Sequence, residues 1–147
     1  MSADFTLNFR QLERYRFSNL FGGTVPELFT DEPPPLGEDS GPSPSQLLVA
    51  ATANCLAASL LFAFGKFKQD VAPLSGEASC VIGRNEERRL RVESIAVTLQ
   101  LGRPAATLTH VERVLSTFED YCTVTQSVRQ GIRVEVTVLD ADGTRLK

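Results

Sequence analysis

The order of patterns along the chain predicts an α+β domain in which an antiparallel sheet packs against one long central helix. Three observations carry that prediction. Apolar and polar residues alternate at strand spacing in "FTLNFRQLERYRFSNLF", in "GEASCVIG" and "RLRVESIAVTLQLG", and again in "IRVEVTVL". A run of small and apolar residues from Leu47 to Phe64 follows a strong helix-start signal. The resulting order is strands, long helix, hairpin, helix pair, strand, which lacks the regular βαβ alternation of a parallel sheet.

Each element has a local reason. The N-terminal alternation reads as a strand pair turning between Gln11 and Tyr15, and Gly22 and Gly23 end it. "FTDEPPPLGEDSGPSP" brings five prolines and several acids, a composition that excludes helix and suits an extended surface loop. Too little chain precedes this loop to form a core, so it connects parts of a single domain spanning 1–147. Ser43 can cap a helix, Pro44 fits its first turn and Gln46 can complete a capping box, so the helix is expected from Pro44 to Gln69, before Pro73.

Beyond it, Ile95, Val97, Leu99 and Leu101 alternate with Ala96, Thr98 and Gln100, which predicts a hairpin with one buried face around the polar Arg84–Arg88. Thr109 with Glu112 has the spacing of a second capping box, ahead of Val111, Val114, Leu115 and Phe118 on one helical face. A short helix from about Val124 to Gly131 and a final strand complete the chain.

Composition narrows the function. With 42% hydrophobic and 22% charged residues and a net charge of −3, the chain has a globular profile and offers no basic surface for nucleic acid. The start "MSADFTLNFRQLERYRF" carries charges where a secretory signal needs an apolar stretch, so a cytoplasmic setting with reduced thiols is expected. The Leu47–Phe64 run approaches the length of a membrane span, but its alanines and interspersed Thr52, Asn54 and Ser59 favour a central core helix, and no membrane is expected as a partner. With a single histidine, His110, and no C-x-x-C spacing, neither a metal site nor a cofactor is suggested.

The three cysteines remain. Cys55, in the apolar helix, is on local grounds most simply core packing, and Cys80 shares a strand face with Ala78 and Ile82. Cys122 differs, because it lies at a break in "EDYCTVTQSV" where backbone N–H groups of the following helix can stabilise a thiolate. Cys55 and Cys122 can therefore form a peroxidatic and resolving pair. An ordinary thiol is only slightly ionised near neutrality and burial suppresses ionisation further, so a cation must assist; Arg10, Arg14 and Arg16 are the N-terminal candidates, each equally readable as solvated strand charge.

Together "DEPPPLG", "GPSPSQLLVAATANCLAASL" and "YCTVTQSVRQGIRVEV" resemble the OsmC/Ohr family of thiol-dependent hydroperoxide reductases, in an order that covers nearly the whole chain. The resemblance rests most on G-P-x-P-x-x-L-L-x-A-A-x-x-x-C, here Gly41 to Cys55. It implies an intertwined homodimer with two sites at the interface, Cys55 as peroxidatic and Cys122 as resolving cysteine, and Arg14, with Arg16 second, as the orienting arginine. It also implies organic hydroperoxides as substrates and a small dithiol or lipoylated protein as reductant.

Two positions depart from the family pattern. Ser45 stands where peroxidase members carry a glutamate, and Thr123 where they carry a proline. Either a loop carboxylate, Glu32 or Glu38, takes the glutamate's place, or peroxidase activity is weak; the alternative function is that of a noncatalytic or differently reactive protein that binds a small molecule or thiol.

Overall fold

The computed structural model describes residues 2–131, so the strand expected at 132–139 lies outside the described residues. Among the described residues, two antiparallel sheets and three α-helices form the architecture, in agreement with the α+β expectation. The first sheet has the order β1 (Asn8–Glu13), β2 (Arg16–Leu20), β3 (Leu28–Thr30). The second is the hairpin of β4 (Ser75–Arg84) and β5 (Leu90–Gln100). Between them runs α1 (Pro44–Lys66), and after them α2 (Val111–Thr117) and α3 (Thr123–Gln130), joined by a 3₁₀ turn at Phe118–Tyr121.

Strand β1 turns into β2 through Arg14 and Tyr15, inside the expected window, because Glu13 pairs with Arg16. Arg14 takes φ +47, a left-handed backbone unusual for a side chain of its size. Its carbonyl is held by Gln11 Nε2 at 2.8 Å. The segment expected to be wholly loop begins as β3, since Phe29 and Thr30 pair with Ser18 and Phe17 before the prolines remove further donors.

Gly41 and Ser43 of the motif Gly41-Pro42-Ser43-Pro44 each have a physical account. A side chain at Gly41 would collide with the backbone of Phe29, so only glycine allows this return of the chain past β3. Ser43 caps α1: its Oγ accepts from the N–H of Gln46, while Gln46 Oε1 accepts from the N–H of Ser43 at 2.8 Å.

Helix α1 ends at Lys66, three residues earlier than expected. The cap N–H of Phe67 returns to the Phe64 and Gly65 carbonyls, Lys68 turns to φ +56, and Gln69 is used elsewhere. Its Oε1 accepts from the N–H of Thr109 at 3.0 Å. That bond also explains why the second capping box does not form. His110, stacked on Phe67 with ring centroids 4.4 Å apart, takes the cap position of α2 without a side-chain cap.

Leu60, Ala63 and Phe64 of α1 meet Val71 and Val114 in the core, with Phe118 against its edge and Leu115 left exposed. The buried positions Thr52, Leu56, Ser59, Leu60, Ala63 and Phe64 follow the spacing of one helical face. On the hairpin, Val92, Ile95, Val97 and Leu99 form the half-buried face. Ala78 and Cys80 are half-buried on the equivalent face of β4, and Ile82 lines the same cleft as they do, but the expectation that it is part of a core face is corrected: beside the point where β5 carries one extra residue, Glu93, Ile82 is 48% exposed.

Candidate active site

Helix α1 presents Cys55 beside its buried stripe, one position before Leu56 and four before Ser59. The 3₁₀ turn after α2 delivers Cys122 to the N-cap position of α3, so Cys122 is fully buried while Cys55 remains half-buried. The two thiols are near enough for each to shift the other's ionisation. Residues 67 positions apart in sequence (122 − 55) thus become a neighbouring pair.

The environment distinguishes the two sulfurs. Cys122 Sγ lies 3.0 Å from Thr125 Oγ1, and both residues are buried. Burial by itself opposes ionisation of Cys122, but the Thr125 hydroxyl, the Cys55 thiol, the Thr125 N–H and the Ser59 hydroxyl together outweigh it and hold its pKa below the ordinary value. For Cys55, burial is the largest influence and raises the pKa; its hydrogen bond and charge interaction with Cys122 add to the rise, against the N–H groups of Val124 and Thr125. The two thiols therefore titrate as a pair, with the donors around Cys122 favouring its charged form and burial opposing that of Cys55.

The position of Cys122 at a helix start was readable in the sequence. Thr125 and Ser59 were not identified there, although each had a spacing signal: Thr125 is three residues past an N-cap, and Ser59 is one helical turn past Cys55.

Within the chain, Arg14 lies apart from the thiols. Its Nη2 donates to the Pro35 carbonyl at 2.7 Å, and its Nη1 is 3.8 Å from Glu38 Oε1, both partners belonging to the loop before α1. Glu38 is one of the two loop carboxylates considered in place of the missing glutamate. Arg16 stacks over the Phe29 ring at 4.8 Å, and Arg10 lies on exposed β1. Ser45 and Gln46 instead line a cleft of about 450 Å³ with Cys80, which separates that third thiol from the Cys55–Cys122 pair.

A larger cleft of about 610 Å³ runs between α1, β5 and α3, bounded by Leu48, Leu56, Ile95, Val97 and Val128. Thr125 also lines it, with Glu93, Glu119 and Arg129, so the residue that touches Cys122 borders a space of mixed polar and apolar lining. Among the described residues no group of three or more His, Cys, Asp or Glu side chains is placed to hold a metal ion.

Comparison with known proteins adds to this geometry. A sequence profile of the family described as OsmC-like protein matches residues 37–137. No curated protein sequence matches significantly. Among solved structures, an OsmC-like protein from Mycoplasma pneumoniae superposes with a TM-score of 0.70 at 12% identity, covering 90% of this chain and 91% of that one. The organic hydroperoxide resistance protein OsmC of Legionella pneumophila gives 0.64 at 17% identity over 91% and 96% of the two chains. An organic hydroperoxide resistance protein from Elizabethkingia anophelis gives 0.58 at 17% identity over 91% and 95%. At these identities the likeness is one of fold.

Proposed function

Because the chain belongs to the OsmC-like protein family, with 101 of its 147 residues matched (37 to 137 inclusive), we propose that it reduces organic hydroperoxides through Cys55 and Cys122. The observation that carries this reading is the proximity of the two thiols, one half-buried and one fully buried at the start of α3, each influencing the other's ionisation. Two structural cysteines of a core have no need of such an arrangement.

The cycle follows from the pair. Cys55 becomes the nucleophile on losing its proton, and the N–H groups of Val124 and Thr125 favour its charge. Cys55 Sγ attacks the terminal peroxide oxygen, the O–O bond breaks, and the alkoxide leaves as alcohol after taking a proton. Cys55 is then a sulfenic acid, which Cys122 converts to a disulfide with loss of water. A dithiol, either a small molecule or a lipoyl group on a protein, returns the pair to two thiols.

The cleft beside Thr125 offers Leu48, Leu56, Ile95, Val97 and Val128 to the hydrocarbon part of an organic hydroperoxide, beside the polar Glu93, Glu119 and Arg129. In this reading the protein is a cytoplasmic homodimer, and the Arg14–Glu38 pair approaches a thiol site across the subunit interface. Glu38 then stands in for the carboxylate that Ser45 cannot provide.

The test is a thiol count before and after cumene hydroperoxide. Two of the three thiols are lost together from the reduced protein, while the Cys55→Ser variant consumes no peroxide. Retention of both thiols in the wild-type protein, under conditions that oxidise a known thiol peroxidase, rejects the proposal.

A further inference from the structure

Once a disulfide joins Cys55 and Cys122, the two sulfurs are unequal targets for a reductant. Cys122 is fully buried, whereas Cys55 is half-buried, so an incoming thiolate meets the Cys55 side. The buried sulfur is also the one surrounded by donors. Thr125 Oγ1 lies 3.0 Å from Cys122 Sγ, Ser59 adds a second hydroxyl, and the α3 N-terminus adds a backbone N–H. Both hydroxyl residues are themselves buried, Thr125 at 5% and Ser59 at 8% exposure, so water competes little for these bonds.

We infer that Thr125 and Ser59 form a leaving-group site: they receive Cys122 as a thiolate when a dithiol reduces the disulfide, and so set the direction and ease of recycling. The inference rests on the redox-pair reading of the two cysteines. In the first step a donor thiolate forms a bond to Cys55 Sγ, the S–S bond breaks, and its electron pair leaves on Cys122 Sγ. The Thr125 hydroxyl turns to donate to that charge. In the second step the donor's other thiol, deprotonated by solvent, attacks the donor sulfur of the mixed disulfide and releases Cys55, which takes up a proton. Two electrons pass to the pair, and the donor departs as its own disulfide.

A better leaving thiolate speeds exchange, and stabilising the reduced state raises the reduction potential of the pair. Nothing in the attack of Cys55 on a peroxide requires these two hydroxyls to the same degree. Their removal should therefore weigh more on reduction than on oxidation.

The test forms the disulfide with diamide, so that it does not depend on peroxidase activity, and then follows reduction by dithiothreitol. Thr125→Val is expected to slow reduction by about tenfold, the scale of one hydrogen bond to a charged group. The equilibrium constant with dithiothreitol is expected to fall by a similar factor, roughly 30 mV for this two-electron couple. Thr125→Ser should restore both, and Ser59→Ala should reproduce a smaller loss if Thr125→Val does not fold. Equal rates and potentials in folded Thr125→Val and wild-type protein overturn the inference. Failure of hydroperoxide to oxidise the pair, with the diamide results intact, overturns the proposed substrate and leaves the leaving-group site standing.

Discussion

Asp31 shows how one side chain organises a segment that composition describes only as loop. It is 4% exposed and accepts from the N–H groups of Glu32, Glu38 and Ser40 at 2.8, 3.0 and 3.2 Å and from the Ser40 hydroxyl at 2.8 Å. The Glu38 N–H is the largest cause holding its pKa at about 2, below the ordinary 3.8, while burial works in the opposite direction. Because the folded-state value is depressed, the stabilisation is present above the unfolded value and is lost as pH falls through the folded one. Wild-type melting temperature is thus expected to drop steeply between about pH 4 and pH 2, where Asp31→Asn changes less and melts several degrees lower at neutral pH. Thermal melts across that range check this; parallel curves for the two proteins would show that Asp31 is not the group responsible. The same loop supplies both partners of Arg14, so a carboxylate that sequence reading passed over governs where the candidate arginine points.

At the scale of elements, two similar capping patterns had different outcomes. Ser43 and Gln46 close a reciprocal box at the start of α1, where the preceding loop is free to take the extended conformation a cap needs. Thr109 and Glu112 have the same spacing, but Gln69 takes the Thr109 N–H and the stacking of His110 on Phe67 moves the helix start by one residue. A side-chain pattern local to four residues cannot register a competitor 40 positions away. Ser43→Ala is expected to cost about 1 kcal/mol in urea unfolding, and Thr109→Ala, which has no cap to lose, no more than about 0.5 kcal/mol. A reversed order of the two effects contradicts the assignment of caps. Strand alternation was more reliable than capping except near the hairpin end, where β5 carries the extra residue Glu93 and Ile82 is left 48% exposed.

At the scale of the whole molecule, much apolar surface remains exposed on the chain. Phe62 on α1 is 60% exposed, Phe9 on β1 68%, Phe5 82% and Leu61 42%, and α1 is long and apolar enough by composition to cross a membrane. Apolar exposure on this scale is what a partner subunit would cover. The proposed homodimer accounts for it and gives the Arg14–Glu38 pair a route to a thiol site. Sedimentation equilibrium is expected to return twice the 16.1 kDa of the chain at micromolar concentration, and a monomer there would remove the interface from the mechanism.

By itself the sequence determined the α+β class, the long capped helix, the hairpin with its half-buried face and the two cysteines worth attention, because each is written in periodicity or in residue types a few positions apart. Tertiary structure decided what depends on long-range placement. It brought Cys55 against Cys122, surrounded one sulfur with Thr125 and Ser59, and held Arg14 to Glu38 in place of any partner at Ser45. The balance of charge between two thiols is set by burial and by donors converging from separate helices, and neither is a property of any short stretch of chain.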